Sequence, residues 1–408
     1  MVILSSNFPF GTNGDNVFIK NEIFSLASKI DEITVVSTGS DYVSLSLPTN
    51  VYYRRVAINR IKLIPMIKSF FGFFGGLIKT YKETKSYCKE QSFFAIAKEI
   101  FKYEYVYNCM MKVLSQEMID ADLIYSYWMS SRLYSAIKLS RKMHLLTKII
   151  TRAHGYDLYC NRGPLPYRTY IGNNISEIVF ISNNGQQYYK KTIYNDLKNK
   201  CRLSVYYLGV NRNSVIKDFK HNYLHITTCS SVIKLKRLDI VIDAISRINE
   251  FEVKWSHIGD GPLLEQIKDL ARAKLSNKKN VAFEFLGNID NQDVVNFYND
   301  NEIDLFVNAS DTEGLPVSIM EAFSFGIPVV CRDVGGCAEI NKLGKNFLLN
   351  KEASGEDFSS ALKSYFFLLD NEKKEVRKKA ADIFDSDFSS SSIDRFTNHI
   401  KLAMDKGN

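Results

Sequence analysis

The order of apolar and polar residues divides the first half of the chain into short buried strands and amphipathic helices. Val2–Ser5 and Ile33–Ser37 are largely apolar runs, and between them apolar residues recur at helical spacing. The same alternation returns after residue 115 and predicts further strands at 122–127, 148–152 and 177–182. Strands that alternate with helices in this way are typical of a parallel sheet with helices on its faces.

A second and cleaner series begins near Leu224. It predicts strands at 224–229, 252–258, 281–286, 305–307 and 328–332, with helices at 238–248, 262–274, 291–298 and 318–324 between them. Two such series predict two doubly wound α/β domains, in which ligands bind at the carboxyl ends of the strands. The predicted boundaries are 1–207, with a helical insertion at about 54–115, then 208–383, and a C-terminal helix within 384–408 that can cross back to the first domain.

Composition agrees with a soluble globular protein. The 408 residues are 45% hydrophobic and 24% charged, enough for two or three sizeable cores. The seven cysteines are scattered without a C-x-x-C pair, which argues against a disulfide framework or a zinc site and favours a reducing compartment. The first residues lack the basic region of a signal peptide and are predicted to form a buried strand.

The net charge of +8 is concentrated in one segment. Residues 54–102 contain eleven Lys or Arg and three Glu, and they enclose the uncharged, aromatic-rich run Ser69–Ile78. Ten residues are too few to span a bilayer. The segment fits either an apolar patch on an anionic membrane surface or a core helix with a solvated basic face. Nucleic-acid binding is not predicted, because no finger, basic 5–8-mer or RNP-like signature is present.

The most informative stretch is Glu313-Gly-Leu-Pro-Val-Ser-Ile-Met-Glu321, which places two carboxylates around a turn and a helix start. Ser318–Ser324 contains no glycine or proline, so a helix is predicted directly after the turn. Free N–H groups at a helix start attract phosphate, and carboxylates bind hydroxyl groups. The combination suits a sugar diphosphate, although glutamate near a helix start is also stabilising without a ligand.

Three other loops follow predicted strands of the same domain. Gly259-Asp-Gly261 lacks the third glycine of a dinucleotide fingerprint and fits a tight turn before a helix. The basic loop that ends at Lys236-Arg237 can neutralise a diphosphate or can be an ordinary solvated loop. Val334-Gly335-Gly336 is a third turn of this kind. Because all of them fall at strand ends of one domain, we favour a shared ligand site over unrelated turns.

In the first domain, His154 ends a predicted strand within Arg152-Ala-His-Gly-Tyr-Asp157. We expect a histidine on such a turn to be exposed to the cleft, where it can hydrogen-bond a substrate; the alternative is a histidine satisfied by local backbone. The other histidines show no metal-ligand spacing such as H-E-x-x-H, and no general base stands out. No metal and no cofactor are therefore predicted.

The segment from Glu313 to Gly336 resembles the signature of retaining glycosyltransferase family 4. That resemblance implies the GT-B fold, in which two doubly wound Rossmann-like domains face a central cleft. It extends over Leu208-Gly-Val210, 230–244, 259–262 and 285–287, and is looser in the first domain, where it rests on Pro9-Phe-Gly11 and residues 154–157.

The resemblance implies a role for each matching residue. His154 would lie near the donor sugar, Lys236 on the diphosphate, Glu313 at the sugar hydroxyls near the reacting carbon, and Glu321 at the ribose hydroxyls. The implied substrate-binding set is completed by Gly11, Gly14, Ser231, Arg237, Gly259, Gly287, Asn288, Gly314, Leu315 and Pro316. One departure stands out: where the family has Gly-Arg before the lysine loop, this chain has Ser230-Ser231, which leaves fewer cations for the leaving group.

The function that the resemblance implies is retaining transfer of a sugar from a UDP- or GDP-sugar to a glycan or lipid-linked acceptor. The context would be synthesis of a bacterial O-antigen, capsule or exopolysaccharide by a cytoplasmic enzyme, peripheral at the inner face of the plasma membrane. Two alternatives stay open. A nucleotide-sugar epimerase of the same fold would need no acceptor, and a catalytically silent nucleotide-sugar-binding partner is made conceivable by Ser231.

Overall fold

The chain forms two compact units. The computed structural model describes residues 1–10, 15–39, 46–58, 62–211 and 221–405. One unit comprises Met1–Tyr207 with Ile393–Asn408, and the other comprises Leu208–Ser392. Each unit is built on one parallel sheet with connecting helices, as the alternation of strand and helix patterns predicts.

The sheet of the first unit has seven parallel strands in the order β3-β2-β1-β4-β5-β6-β7. The strands are β1 Val2–Ser5, β2 Ile33–Ser37, β3 Val51–Arg55, β4 Leu123–Ser126, β5 Lys148–Ala153, β6 Glu177–Phe180 and β7 Arg202–Val205. The five predicted strands are confirmed, and they form the buried centre. The two edge strands escaped prediction because little of their surface is covered: four of the five residues of β3 are exposed, and it shows no apolar run.

Helices cover this sheet, and two of them are much longer than the rest. They are α1 Asp15–Ala27, α2 Leu63–Tyr87, α3 Phe93–Glu117, α4 Ser131–Met143, α5 Arg168–Asn173 and α6 Asn183–Thr192. The long helices α2 and α3 pack against each other and form the predicted basic, aromatic insertion. The inner side of α3 is core: Ile96, Ile100 and Met110 are fully buried with residues of α4.

One pair of cysteines is joined, contrary to the expectation from their scattered spacing. The Sγ atoms of Cys88 and Cys160 are bonded at 2.10 Å, 72 residues apart in the sequence. The bond links the C-terminal end of α2 to the loop after β5. The other five cysteines are free. Spacing could not reveal this pair, because only the packing of α2 against the rest of the unit brings the two residues together.

The second unit has the six-stranded order β10-β9-β8-β11-β12-β13, again all parallel. Its strands are β8 Tyr223–Cys229, β9 Glu252–Ile258, β10 Val281–Gly287, β11 Leu305–Asn308, β12 Val329–Arg332 and β13 Leu348–Leu349. Its helices are α7 Leu238–Ser246, α8 Leu264–Leu275, α9 Asn291–Asp300, α10 Val317–Ser324, α11 Cys337–Ile340, α12 Gly355–Phe366 and α13 Asp370–Asp387. The first strand of this unit, β8, lies in the centre of the sheet. The next two strands are added on one side of it and β11 to β13 on the other, which is the doubly wound pattern.

The last helix, α14 (Ser390–Asp405), packs on the first unit. Phe396 and Ile400 lie in the same apolar cluster as Ile19 and Ile23 of α1. Polar contacts anchor the same helix: Lys29 Nζ lies 3.0 Å from Asp394 Oδ1, His399 lies 3.0 Å from Glu177, and Arg152 stacks on Phe396. Apolar spacing alone indicated a helix here, and the complementary surface that it covers includes residues 222 to 369 positions earlier in the chain.

Candidate active site

Five loops at the carboxyl ends of neighbouring strands in the second unit are tied together by backbone hydrogen bonds. They follow the strand order of the sheet, from the end of β10 across β9, β8 and β11 to the end of β12. The N–H of Gly259 donates to Gly287 O at 2.8 Å and joins the ends of β9 and β10. Between the ends of β8 and β9, Ser230 N donates to Ile258 O and Val232 N to Asp260 O, both at 2.9 Å. Asp311 N donates to Leu235 O at 2.9 Å between the loops after β11 and β8, and Gly336 N donates to Gly314 O at 2.8 Å between those after β12 and β11. The predicted strand-end loops are therefore adjacent and form one continuous edge.

Two glycines permit the close approach of these loops. Gly259 has φ +136° and Gly335 has φ +55°, and an added Cβ would overlap the carbonyl oxygen of Ser230 at the first and of Glu313 at the second. Gly336 meets the oxygen of Gly314 in the same way. The sequence pattern indicated turns at these positions; the structure shows that a side chain is excluded because another loop of the site lies against them.

Substitution of Gly335 by alanine is expected to destabilise the protein by about 3 kcal/mol or more, because left-handed backbone strain adds to a clash with the Glu313 loop. Gly287 is the matched control, since it also has positive φ (+70°) but an added Cβ there meets nothing within 4 Å. Gly287→Ala should therefore cost only the backbone term, about 1 kcal/mol. Urea unfolding of both variants measures the difference, and equal losses would show that the clash is relieved.

Lys236 and Glu313 form an ion pair at this edge. Lys236 Nζ donates to Glu313 Oε1 at 2.6 Å, and Asn308 Nδ2 donates to the same oxygen at 3.2 Å. Glu313 is buried with 6% exposure, whereas the lysine side chain is about one-fifth exposed. The two residues predicted to be catalytic in this unit are therefore brought together, 77 positions apart. Asn308, which holds the carboxylate from β11, was not predicted because an asparagine at a strand end carries no distinctive local signal.

Arg237 forms two ion pairs within the protein, and its role on a diphosphate stays a prediction. Its guanidinium contacts Asp239 at 2.9 Å and Asp311 at 3.1 Å, and these hydrogen bonds and charges raise its pKa. Arg332 Nη1 reaches the same Asp311 at 2.7 Å, while its other nitrogens donate to Ala353 O. Asp311 thus ties the Lys236 loop to β12. A donor that contacts Arg237 would share its guanidinium with these two carboxylates.

Glu321 stands apart from this network. Its carboxylate accepts no hydrogen bond and forms no ion pair within the described ranges, although the side chain is largely covered. Desolvation by burial raises its pKa from 4.5 to about 7, and it in turn raises the pKa of its neighbour Cys229. The start of α10 nearby has no side-chain cap, since Pro316 occupies that position. A ligand with hydroxyl groups would supply the hydrogen bonds that this carboxylate lacks in the protein.

Glutamine at position 321 is expected to stabilise the free protein above pH 7 and to leave it unchanged below pH 4.5. A raised pKa means that the folded state keeps its proton while the unfolded state loses it, so the unsubstituted protein loses stability as the pH rises from 4.5 to about 7. Above pH 7 the free energies of unfolding of the two proteins should differ by only about 2 kcal/mol, because partial solvent access weakens the effect. Urea unfolding midpoints measured from pH 4.5 to pH 7 test this prediction, with Glu352→Gln at an exposed position as control. A difference in stability between Glu321→Gln and the unsubstituted protein that did not change with pH would contradict it.

His154 lies in the first unit and is buried, not exposed as predicted. It is only 6% exposed and packs against Trp128 and Tyr127, with ring centroids 4.2 and 4.9 Å away. Among the described residues neither ring nitrogen has a hydrogen-bond partner, so no local backbone group there satisfies the ring; the backbone N–H of His154 donates to Asp157 Oδ1 at 2.6 Å. Burial, with the charge of Arg152, lowers the pKa of His154, and the imidazole is neutral.

The remaining predicted residues fall into two groups. Gly11 and Gly14 lie outside the described residues. In the second unit, Ser231 and Asn288 are exposed next to the hydrogen-bonded loops, Gly314 is half-buried, and Leu315 and Pro316 are buried at the start of α10. In the part of the chain that the structure describes, no group of three or more His, Cys, Asp or Glu side chains is placed to hold a metal ion.

The fold has clear relatives among solved structures. The apo lipopolysaccharide outer core galactosyltransferase WaaB superposes with a TM-score of 0.67 at 16% identity, covering 98% of both chains. Anabaena Alr3699/HepE in complex with UDP and glucose superposes with a TM-score of 0.64 at 16% identity, covering 98% of this chain and 99% of that one. Two parallel-sheet α/β units with these neighbours define a GT-B Rossmann-like fold, as the resemblance implied.

Sequence comparison finds a matching family model for most of the second unit. Residues 211–382 match the family model described as Glycosyl transferases group 1. The O-antigen biosynthesis glycosyltransferase WbnH of Escherichia coli is 37% identical over 105 residues, which are 26% of this chain and 27% of that protein. WclY of the same organism, also an O-antigen biosynthesis glycosyltransferase, is 23% identical over 206 residues, 46% and 54% of the two chains. The chain thus spans between about a quarter and about half of these relatives.

Proposed function

We propose that this protein is a glycosyltransferase that moves a sugar from a nucleoside diphosphate donor onto a hydroxyl group of a glycan acceptor in cell-surface polysaccharide synthesis. The observation that carries the proposal is the continuous edge of five hydrogen-bonded loops, which gathers a buried cation-carboxylate pair, an uncapped helix start and an unpartnered carboxylate. The match of residues 211–382 and the bacterial O-antigen relatives support the same class of reaction.

The site supplies groups for each part of a nucleotide sugar. Lys236 and the first N–H groups of α10 would stabilise the negative charge that grows on the departing diphosphate. Glu313 would hold hydroxyl groups of the donor sugar, and Glu321 would accept hydrogen bonds from the ribose. The backbone of Gly314, Leu315 and Pro316 would line the sugar and phosphate, while Gly259, Gly287, Asn288 and Ser231 border the same edge.

The reaction that follows is a substitution at the anomeric carbon. The bond from this carbon to the diphosphate oxygen breaks through an oxocarbenium-like state, and a bond to the acceptor oxygen forms on the same face, with retention of configuration. The acceptor's proton passes to an oxygen of the departing phosphate, so no separate acid and base are required. Catalysis then consists of positioning and charge stabilisation. The proposal assigns no metal and no cofactor to the reaction.

Roles in donor binding are proposed for residues of the first unit as well. Within the proposal, the neutral, unpartnered ring of His154 contacts the donor sugar, and Gly11 and Gly14 approach the phosphates. We propose that the acceptor is lipid-linked and that the enzyme acts in the cytoplasm at the inner face of the plasma membrane; the basic helical insertion supports this. UDP is the favoured nucleotide, because the similar HepE structure is described with UDP and glucose.

A thermal-shift screen of UDP- and GDP-sugars, followed by a turnover assay, tests the proposal. A specific donor should raise the unfolding temperature by mass action, and release of the nucleoside diphosphate should depend on a glycan acceptor. NMR of the product reads the anomeric configuration. Conversion of the donor alone to an epimer would favour the epimerase, donor binding without turnover on any acceptor would favour the silent partner, and the absence of any donor binding would overturn the proposal.

A further inference from the structure

Helix α2 displays a continuous apolar stripe to the solvent. Its members recur at helical spacing from Leu63 to Ile78 and so fall on one side of the helix. Ile64, Phe71, Phe74 and Ile78 are 67–77% exposed, and the stripe is completed by Leu63, Ile67 and Phe70. Phe94, at the start of α3, is 82% exposed and extends this apolar surface. An exposed patch of this size and aromatic content is unusual on a soluble protein and indicates an interaction surface.

The opposite side of α2 belongs to the fold. Ser69, Thr80 and Thr84 are buried there, and Phe73 packs on Phe101 of α3. Polar contacts hold the same side: Asn108 Nδ2 lies 3.1 Å from Ser69 Oγ, and Thr169 N donates to Glu83 Oε1 at 3.2 Å. The disulfide fixes the C-terminal end of the helix.

This packing decides how α2 could meet a membrane. By length and composition alone, α2 is apolar enough to cross a bilayer, and no other helix of the described residues is. Crossing would break the polar contacts of its inner side and carry the half-buried carboxylate of Glu83 into hydrocarbon, which is costly. A helix with one apolar face outward and one face attached to the protein instead suits a position in the plane of the interface.

Lysines border the stripe along its length. Lys68, Lys79 and Lys82 are exposed on the flank of α2, and Lys98 is exposed on α3 one turn after Phe94. The first three form no ion pair with the residues that the structure describes. Cations next to an inserted apolar face are what an anionic lipid surface attracts. The same lysines disfavour a second copy of this chain as the occupant, because self-association through the stripe would bring like charges together.

We propose that the face of α2 defined by Phe71, Phe74 and Ile78, together with Phe94, docks on an anionic membrane surface with α2 parallel to that surface. The apolar side chains insert between the lipid headgroups, and Lys68, Lys79 and Lys82 contact lipid phosphates. This inference concerns the surface alone and does not rest on the reaction proposed above, so binding to lipid can be tested on protein that turns over no donor.

Flotation with lipid vesicles tests the docking surface. The full chain should float with vesicles that contain phosphatidylglycerol at low salt, and much less with pure phosphatidylcholine vesicles. Serine at Phe71, Ile78 or Phe94 should lower the partition coefficient about tenfold for each side chain. Leu146→Ser is the control, since Leu146 is 99% exposed but lies outside the stripe, before β5. Because all of these side chains are exposed, none of the substitutions should unfold the protein.

Charge reversal tests the lysine border separately. Glutamate at Lys68, Lys79 and Lys82 together should lower binding to anionic vesicles about a hundredfold at low salt and have little effect at high salt. The matched control reverses three exposed lysines elsewhere, Lys142, Lys345 and Lys378. Equal losses in the two triple variants would show that net charge, and not this face, drives binding, and would overturn the proposal.

The depth of insertion distinguishes docking from spanning. Tryptophan at position 71 should be quenched most strongly by lipids that carry a quencher near the headgroup; stronger quenching from the bilayer centre would show a crossing helix and overturn the parallel orientation. Absence of flotation with any anionic vesicle would overturn the proposal outright. So would a dimer in sedimentation that Phe71→Ser dissociates, if the protein did not bind vesicles.

Discussion

Replacing Glu313 by glutamine is expected to lower kcat at least a hundredfold while leaving nucleotide binding almost unchanged. Glutamine keeps the shape and can still accept the hydrogen bond from Asn308, but it removes the negative charge that faces the donor sugar. Loss of one group aimed at transition-state charge typically costs a factor of about 10²–10³ in turnover. The measurement is acceptor-dependent release of the nucleoside diphosphate, with thermal shift by the free nucleotide run in parallel.

Glu250 provides the control for this change. It forms an ion pair of the same 2.6 Å length with Lys363, but on the surface of the second unit and away from the strand-end loops. Glu250→Gln should therefore leave turnover within about twofold, because exposed ion pairs contribute little. If Glu313→Gln retained full turnover, the carboxylate would have no part in the transition state, and its role would be only to hold Lys236.

Methionine at position 236 is expected to lower kcat/KM about a thousandfold, since the departing diphosphate loses the one cation that the structure brings to Glu313. It should also destabilise the free protein by about 2 kcal/mol, because the carboxylate of Glu313 is left buried without its counter-ion. Turnover and urea unfolding measure the two effects on the same variant.

A double variant separates the catalytic effect from the structural one. Adding Glu313→Gln to Lys236→Met removes the unpaired charge, so stability should return to near that of the unsubstituted protein, while turnover should stay well below that of Glu313→Gln alone. Lys234→Met, on the same turn but exposed, is the matched control and should retain turnover. Turnover of the double variant equal to that of Glu313→Gln alone would show that Lys236 acts on folding alone and would contradict its assignment to the leaving group.

The stability of this site is expected to improve on ligand binding. A carboxylate without partners at position 321 costs free energy in the protein alone. Proteins tolerate such costs where a ligand offsets them. Gly335 lets the loops of the site approach each other closely, and Glu321 lacks hydrogen bonds that the hydroxyl groups of a ligand would supply.

Departures from the sequence predictions have a common cause. Arg237 was assigned to the ligand because basic residues in a strand-end loop commonly bind phosphate, but Asp239 and Asp311 compete for the same guanidinium. His154 was expected to be exposed because it follows a strand, but Tyr127 and Trp128 cover its ring. In each case the residue type suggested a role, but the surrounding side chains decided the environment of the residue. Asp239 is close to Arg237 in the sequence, whereas Asp311, Tyr127 and Trp128 come from other parts of the chain.

The sequence by itself determined the local structure of this protein: the strand and helix alternation, the glycine turns at strand ends and the apolar stripe of α2. These features depend on backbone conformation and on the period of one element, and both are set by neighbouring residues. Only the tertiary structure decided the pairing of Lys236 with Glu313, the disulfide between Cys88 and Cys160, and the return of α14 to the first unit. Each of these joins positions 72 or more residues apart, and strand order and packing alone determine which distant residues meet.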